Sequence, residues 1–561
     1  MKVKQYGESK ETEGNVVLTN CKGGFLNLGK PNSKFQGWFV KDGEEYKIIE
    51  EIKLDGGVTE LFNEVFCIKR KKSVLETYMF PKNFNTLIYE LSSVKEISIV
   101  FDIRKAYDMS EQERDYEIKK EHEKIIIYYK KEGIHTVIGN AKKYEILNKW
   151  EQYDYTTDEK RNPPPFTRFN YAALKLKTKK LVITAYKDKE KAIEENDFLL
   201  KNLTKIKKSE KNSVKNISKK ETAVNLAANS LMNLTVQDGL IAGLPWFFQI
   251  WTRDEMISLK ALTFIGEEQL AKKILIERLT QIDEKGRLPN RIGEEGISSA
   301  DSIGWMFLRF NDVMKLLNKK EKELLKVELK NSIELLIKNF HKNGFFFSKA
   351  KETWMDTDFG GDTRKGFCIE IQALMLNMLD MAYNLTKEQI YKRLRDSLIQ
   401  NIHNSFFKDR YLYDRAEDRT IRPNVFIAYY AYPKLLSKME WQKCFEIALD
   451  RLWMEWGGIA TIDKGHQWFT SSYTGQDNKS YHRGDCWYWM NCLAAVCMLR
   501  VNKKKFKDKI DKIYSACEKD IWQGGLGSLS ELSSASQQTS DGCLNQAWSN
   551  AMFIELWKEM K

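Results

Sequence analysis

The segment Thr353-Trp354-Met355-Asp356 places a carboxyl group two residues after an indole, in a Gly-rich stretch between two helical patterns. Sugars bind to proteins by stacking on aromatic faces and by hydrogen bonding to carboxylates. Glycosidic bonds are cleaved by pairs of carboxyl groups, one of which donates a proton. Asp356 is therefore a candidate general acid. An isolated loop aspartate is more often solvated or a helix cap, so this interpretation depends on the rest of the chain.

A second candidate carboxyl belongs to Glu531, at the end of the Gly-rich segment 524–531. A Gly-rich backbone suits a carboxylate that must approach its target closely. An inverting pair of carboxyls needs a separation of about 6.5–9.5 Å, which leaves room for a water molecule. The sequence offers no competing chemistry, because it contains no Gly-x-Ser-x-Gly, Walker loop, HExxH, or GxGxxG in a βαβ setting.

Other loops also carry Trp, Arg and acidic residues. Arg253-Asp254 follows Trp251 at the start of a predicted helix, and fits either a sugar-binding pair or an aspartate placed for the helix dipole. Asp301 fits either a substrate contact or a helix N-cap. His482 fits either a donor to a sugar hydroxyl or a structural hydrogen bond. The remaining candidate substrate-binding residues are Asn290, Trp354, Arg364, Glu370, Trp487, Gln546 and Trp548.

The N-terminal third of the chain must form strands. Short apolar or alternating runs are separated by turn signals such as Gly23-Gly24 and Asp42-Gly43. This pattern predicts an antiparallel β-sandwich. The predicted strands include 15–18, 37–40, 46–49, 77–80, 97–101, 124–129 and 180–185. We expect a sandwich domain over 1–187, a charged helical linker over 188–220 and a catalytic domain over 221–561.

From about residue 221 the apolar period becomes 3.6, which indicates helices. The predicted helices are 221–234, 252–265, 267–281, 300–317, 320–340, 367–384, 387–404, 424–435, 438–452, 484–499, 503–519 and 543–559. Short and long connections alternate, so the helices form pairs that can close into an (α/α)6 barrel. An open solenoid is the alternative, but no repeat is visible. In the barrel, the long loops carrying Asp356 and Glu531 lie opposite each other at one end, where we expect function.

Composition limits the remaining possibilities. The 561 residues predict two to four domains, and the net charge of +13 comes from Lys interleaved with Glu. We interpret the Lys-rich stretch 201–220 as a solvated face and expect no nucleic acid partner. The polar N-terminus and the lack of a long apolar run predict neither a signal peptide nor a membrane span. Nine scattered Cys and six His without ligand spacing predict a cytoplasmic protein with reduced thiols and no metal or cofactor.

The loop motifs resemble those of a known family. In order, PWFFQIWTRDEMISL, GRLPNR, SADSIGW, TWMD, RKGFCIEIQAL, IRPN, YHRGDCWYW, GSLSE and GCLNQAWS are similar to the C-terminal amylo-α-1,6-glucosidase domain of glycogen debranching enzymes. The N-terminal half resembles the β-sandwich of shorter prokaryotic members, with Gln36 where the family usually has His. The resemblance implies an (α/α)6 barrel, inversion, Asp356 as acid and Glu531 as base. It also implies that Arg253 and Asp254 bind the non-reducing-end glucose.

Some positions depart from the family pattern. Trp251-Thr252-Arg253-Asp254 stands where Gly-Arg-Asp is more frequent, and Trp487-Tyr488-Trp489 replaces Trp-Pro-Trp. The expected function is an inverting amylo-α-1,6-glucosidase acting on branches of glycogen-like α-glucans. Within the same class, a glucoamylase-like α-1,4-glucosidase or a trehalase also fits. An inactive glucan-binding protein and a phosphorolytic enzyme are the alternatives from other classes.

Overall fold

The computed structural model describes residues 3–6, 14–29, 32–108, 114–294, 296–416 and 418–561, so most of the polar N-terminal segment lies outside it. In the described part, fourteen antiparallel strands form one hydrogen-bonded network. They are β1 Val3–Tyr6, β2 Val16–Thr19, β3 Phe25–Leu28, β4 Gly37–Asp42, β5 Glu44–Lys53, β6 Glu60–Asn63, β7 Ile68–Lys71, β8 Leu75–Met79, β9 Thr86–Lys105, β10 Tyr116–Glu121, β11 Lys124–Tyr129, β12 Ile134–Gly139, β13 Tyr144–Asp154 and β14 Thr167–Tyr186.

Two long strands connect the two layers of this network, which is a β-sandwich. The strands β9 and β14 are 20 residues each and pair with one another. The first part of β9 pairs with β8 and its second part with β5, whereas β14 pairs with β13 through its first part and with β12 through its second. Both strands therefore run through the two layers. The predicted sandwich is confirmed, and each predicted strand segment coincides with a strand of this network.

Two helices accompany the sandwich. The short α1, Asp158–Arg161, lies in the connection between β13 and β14. The charged segment predicted to be a linker forms α2, Lys189–Asn212, which begins after Asp188, whose side chain caps the Lys191 amide. One face of α2 is buried against the sheet through Ala192 and Leu199. Its charged residues lie on the opposite, outer face. The predicted linker is therefore a helix whose buried face packs on the sandwich.

The helical region begins at residue 222. Its helices are α3 Thr222–Asn233, α4 Thr252–Phe264, α5 Glu268–Leu279, α6 Ser302–Val313, α7 Lys319–Phe340, α8 Ile369–Thr386, α9 Gln389–Ser405, α10 Asn424–Ala431, α11 Lys438–Leu452, α12 Tyr488–Gln523 and α13 Ala547–Met560. All twelve predicted segments are found as helix. Two of them are joined in α12, where Asn502 has non-helical backbone angles and separates the halves.

The inner helices form a closed ring. The packing order is α4, α6, α8, α10, the first half of α12 and α13, and α13 packs back against α4. These helices are apolar almost all round, as α10 illustrates by burying each of its residues, which is typical of helices enclosed by protein. The architecture is therefore an (α/α)6 barrel. Each inner helix begins after a long loop, so these loops meet at one end of the ring.

No helix in the described ranges combines the length and apolarity needed to cross a bilayer.

The nine cysteines are free thiols, and all except Cys21 are buried. Burial in apolar surroundings keeps such thiols protonated and raises their pKa, as for Cys368 and Cys543.

Candidate active site

The long loops enclose a cavity of about 250 Å³ at the end of the barrel where the inner helices begin. Its volume is slightly below the range of about 300–1,000 Å³ found for drug-sized ligands and suits a single sugar ring. Larger clefts elsewhere, one of them between the sandwich and the barrel, contain neither Asp356 nor Glu531. Nine of the predicted residues line the cavity: Trp251, Arg253, Asp254, Trp354, Asp356, Trp487, Glu531, Gln546 and Trp548.

Interlocked indoles form one wall of the cavity. Trp354 meets Trp487 and Trp489 edge to face, with ring centroids 5.7 and 5.1 Å apart. Trp489 stacks on Trp548 at 4.9 Å. The Trp354 indole N–H donates to Asn424 Oδ1 at 2.6 Å, which fixes the ring plane. The wall is consequently rigid, and its apolar surface is suited to the C–H face of a sugar.

Arg253 connects two acidic residues, and we call Arg253, Asp301 and Asp356 the cavity cluster. Arg253 is the second residue of α4, and its Nε donates to both Asp301 oxygens at 2.8 and 2.9 Å. Its Nη1 donates to Asp356 Oδ2 at 3.0 Å. Because Asp301 already holds the guanidinium, the positive charge near Asp356 is shared between two carboxylates.

Asp356 lies deep in the protein but faces open space. Its side chain keeps 35% of its surface accessible, and this part faces the cavity. Desolvation by the surrounding protein raises the pKa of Asp356, and the charge of Arg253 opposes this rise in part. An aspartate with a raised pKa can hold a proton closer to neutral pH than a solvated one.

Glu531 is held from several sides. The Tyr481 hydroxyl donates to its Oε1, and the Cys543 amide donates to its Oε2 at 2.9 Å. Burial raises the pKa of Glu531, while the charge of Arg161 and these two hydrogen bonds lower it. Gly542 has φ of +70°, and a Cβ there would lie 2.2 Å from Glu531 Oε2, so only glycine fits.

Asp254 is the third carboxyl group of the cavity. Gln546 Nε2 donates to its Oδ1 at 3.0 Å, and no other side chain in the described ranges neutralises it by direct contact. Burial raises the pKa of Asp254 to about 8, and the nearby charges of Glu531 and Asp356 contribute to the rise. Asp254 therefore holds its proton closer to neutral pH than an ordinary aspartate does, and in its protonated form it can donate as well as accept a hydrogen bond.

Two predicted substrate-binding residues lie behind the wall instead of in the cavity. Arg364 donates to Glu370 at 2.6 Å and to Asp414 at 2.8 Å, and all three side chains are buried. Arg364 also donates to Thr353 Oγ1 at 2.9 Å. We call Arg364, Glu370 and Asp414 the wall cluster. Its charged groups are satisfied by one another, so they hold the loop that carries Asp356 and do not reach the cavity.

Three further predicted residues support the cavity from outside. Asn290 accepts the Arg253 amide at 3.3 Å and so fixes the start of α4. Asp301 precedes α6 but its side chain binds Arg253 and does not cap the helix. His482 stacks on Trp487 and shares a 2.8 Å hydrogen bond between Nδ1 and Thr357 Oγ1. Burial and neighbouring arginines hold the pKa of His482 well below its usual range, so the ring is neutral.

The cavity also contains residues that the sequence analysis missed. They are Arg161, Ala242, Phe247, Thr357, Asn478 and Tyr481. Tyr481 directly precedes His482 in a motif that was recognised, and Phe247 and Thr357 also flank recognised residues, so the correct loops were found but the inward-facing neighbours were not. Arg161 had a weaker signal, the Pro-rich break between two predicted strands. No cluster of three or more potential metal ligands occurs in the part of the chain that the structure describes.

Comparisons with known proteins identify similar structures. The chain is similar to a bacterial glucoamylase complexed with acarbose, with a TM-score of 0.67 and 12% identity over 99% of this chain and 97% of that one. It also matches a mannosylglycerate hydrolase from Thermus thermophilus at 11% identity, with a TM-score of 0.46 over 60% of this chain and 100% of that one. A comparison with curated protein sequences returns no match.

The glucoamylase similarity establishes the shared fold of sandwich and barrel. The family described as amylo-alpha-1,6-glucosidase matches residues 211–555, which is more than half of the chain and extends from before α3 into α13. This range contains both candidate carboxyls and the loops that enclose the cavity. The chain is thus a glycoside hydrolase of the six-hairpin type, and it belongs to the amylo-alpha-1,6-glucosidase family.

Proposed function

We propose that this protein is an inverting exo-acting glucosidase that removes α-1,6-linked glucose from branch points of glycogen-like α-glucans. The observation that carries the proposal is the presence of Asp356 and Glu531 in one small cavity, on loops from opposite sides of the barrel. One carboxyl stands ready to protonate the leaving oxygen and the other to activate water. The family match supports the proposed substrate class and linkage.

The surroundings of the two carboxyls support different roles for them. Burial raises the pKa of Asp356, which favours a protonated general acid, and its one opposing hydrogen bond comes from an arginine whose charge it shares with Asp301. Glu531 accepts hydrogen bonds from Tyr481 and the Cys543 amide, which favour its ionised form. Asp356 would protonate the leaving oxygen, and Glu531 would remove a proton from the attacking water on the opposite face of the ring.

The rest of the cavity is suited to a terminal glucose. Indole rings offer an apolar surface, and Arg253, Asp254 and Gln546 offer donors and acceptors at its edge. A small cavity binds the sugar to be released, so the remainder of the branched glucan must leave through the opening. Such a site acts on chain ends and not within chains.

Inversion is tested by proton NMR of fresh reaction mixtures. We expect β-glucose as the first product, before mutarotation. If α-glucose appeared first, water would not attack opposite to the leaving group, and the assignment of Glu531 as base to an inverting pair would be wrong.

Linkage preference is tested by comparing three substrates under identical conditions. We expect the highest kcat/KM for a dextrin with single α-1,6-linked glucosyl stubs, and lower values for maltotriose and trehalose. A preference for maltotriose would indicate an α-1,4-glucosidase, and a preference for trehalose would indicate a trehalase. Binding of the stub dextrin without release of glucose from any of the three substrates would indicate an inactive glucan-binding protein.

A further inference from the structure

Arg161 is the lining residue of the cavity that comes from the N-terminal sandwich. It ends α1, in the connection between β13 and β14, whereas the other lining residues belong to the helical region. The family match begins at residue 211, so this contact lies outside the part of the chain that the match covers. The barrel cavity is therefore completed by a second domain.

The guanidinium of Arg161 has no polar partner within the described residues. Its Nε is buried and makes no hydrogen bond, and no carboxylate there forms an ion pair with it. Aromatic rings surround it instead, with Trp246, Phe247 and Tyr481 centroids 5.3, 5.6 and 5.5 Å away. Cation–π contacts of this kind orient an arginine but leave its N–H donors free. Arg161 therefore influences the carboxylate of Glu531, which lines the same cavity, through its charge and not through a direct contact.

Buried polar groups of the sandwich hold α1 in position. The Asp158 side chain accepts from Ser33 Oγ at 2.9 Å and from the Lys34 amide at 2.7 Å. The Lys34 carbonyl in turn accepts from Arg104 at 2.7 Å and from Lys47 at 3.0 Å. These groups are almost fully buried. Because α1 is tied to the core of the sandwich at its first residue, the position of Arg161 at its last residue is fixed.

The charge of Arg161 acts on Glu531. Glu531 is buried, and Arg161 is the main cationic influence that offsets the resulting rise in its pKa. The charge of Glu531 acts back on Arg161, together with the hydroxyls of Tyr481 and Tyr473. The other titratable groups that influence or are influenced by Glu531 are Asp254, Asp356, Tyr473, Tyr481, Asp485 and Cys543.

Every one of these other groups is either neutral or negative. Arg161 is therefore the cation that compensates Glu531, just as Arg253 is the cation that contacts Asp356 on the other side of the cavity. The two sides differ in origin, because Arg253 belongs to the barrel and Arg161 to the sandwich.

We propose that Arg161 is a positioning residue through which the N-terminal sandwich keeps Glu531 ionised for the activation of water. This proposal rests on the role of general base given to Glu531 above. It assigns a catalytic purpose to the docking of the sandwich on the barrel, since the side-chain contacts of Glu531 within the barrel come from Tyr481 and the Cys543 amide, neither of which is a cation.

The pH profile of kcat/KM tests the proposal on the full-length protein. The acidic limb reports the ionisation of the base in the free enzyme. Arg161→Met removes the charge and keeps an unbranched side chain, so the pKa of Glu531 rises and the limb moves to higher pH by about 1 unit or more. Arg161→Lys keeps the charge and should restore the limb toward that of the parent protein. Arg419→Met, at an exposed arginine that is not among the residues lining the cavity, controls for loss of surface charge.

A purely structural role for Arg161 predicts another pattern. In that case Arg161→Met would lower kcat/KM equally at all pH values and leave the position of the acidic limb unchanged. An unmoved limb in both variants, with urea unfolding midpoints equal to the parent's, would overturn the proposal.

A binding experiment separates this proposal from the proposed function. Binding of the cationic glucose analogue 1-deoxynojirimycin to the parent and Arg161→Met proteins is measured by calorimetry between pH 4 and 8. Protonation of the analogue itself is the same in both experiments, so it does not contribute to a difference between the two proteins. We expect the pH below which binding of the analogue weakens to be higher for Arg161→Met than for the parent protein. If the parent hydrolyses no glucan but this shift occurs, the hydrolase function fails and the role of Arg161 stands. If the parent hydrolyses glucan and neither profile moves, only the role of Arg161 fails.

Discussion

The cavity cluster and the wall cluster contain the same kinds of groups in neighbouring loops, yet they differ in what they leave free. In the wall cluster, Arg364 binds Glu370, Asp414 and Thr353, and every charged group there is buried. In the cavity cluster, Arg253 binds Asp301 through one edge and offers only Nη1 to Asp356. Asp356 therefore retains an open side toward the cavity. A carboxyl group that reacts with substrate needs hydrogen-bonding capacity that no protein group has taken up. A charged group that only stabilises the fold needs the opposite, a full set of protein partners.

The largest expected effect comes from the carboxyls that face the cavity. Asp356→Asn and Glu531→Gln preserve shape but remove the proton donor and the base, so each should lower kcat by about 10²–10⁴-fold or more. Binding of glucan should persist, because the indole wall is unchanged. Steady-state kinetics and calorimetry with a glucan ligand measure both quantities. Near-normal turnover in either variant would contradict the role given to that residue.

The second prediction compares the arginines of the two clusters. Arg364→Met leaves buried Glu370 without its cation and leaves Asp414 only the more distant Arg422, 3.8 Å away, which should lower the free energy of unfolding by about 3–5 kcal/mol. The kcat of the folded fraction should stay close to the parent value. Arg253→Met should reduce both stability and kcat, because Arg253 also contacts Asp356. Urea unfolding and active-site-normalised kinetics distinguish the two. Equal losses of kcat would mean that the clusters do not differ in function.

The comparison also explains how much of the site the sequence could predict. The barrel and its loops follow from apolar periodicity and loop length, so Asp356, Glu531 and the indoles were found in the correct loops. Local sequence does not distinguish the roles of Arg253 and Arg364, because each arginine stands within or directly after a long loop and near acidic residues. Which one reaches the cavity depends on whether Glu370 and Asp414 are close enough to saturate it.

Contacts between domains were harder still to predict. Arg161 lies in a segment whose sequence indicates only a break between strands. Its approach to Glu531 depends on how the sandwich docks on the barrel, which no local pattern encodes. Tyr481 and His482 illustrate the same limit at short range. They are adjacent, but the Tyr481 hydroxyl contacts Glu531 whereas His482 packs against Trp487 behind the wall.

The third prediction concerns the stability that the protein loses because Asp254 is buried in the cavity. The pKa of Asp254 is raised to about 8 in the folded protein, above the value of about 3.9 for an unfolded chain. Between these values the folded state holds a proton that the unfolded state releases. The contribution of Asp254 to the free energy of unfolding therefore falls as pH rises from about 4 to about 8, and is constant above that.

Asp254→Asn mimics the protonated form and keeps the oxygen that accepts from Gln546. The variant should therefore exceed the parent in stability at pH 8, by an amount on the order of a few kcal/mol, and match it near pH 4. Urea unfolding at both pH values measures the difference. A variant less stable than the parent at pH 8 would show that Asp254 is ionised and well compensated in the folded protein. The wall cluster, being saturated, offers no such gain.

The smallest expected effect tests how closely the backbone supports Glu531. Gly542→Ala places a Cβ 2.2 Å from Glu531 Oε2 at a position with φ of +70°. Gly266→Ala is a matched control, because Gly266 has φ of +79° but no neighbouring atom within 4 Å of the added carbon. Both substitutions should cost about 1 kcal/mol of stability from the left-handed backbone. Only Gly542→Ala should also lower kcat, because it displaces the base. If both variants kept the parent's kcat, Glu531 would have more freedom than its contacts with Tyr481 and Cys543 allow, and its fixed position would not be what distinguishes the cavity from the wall.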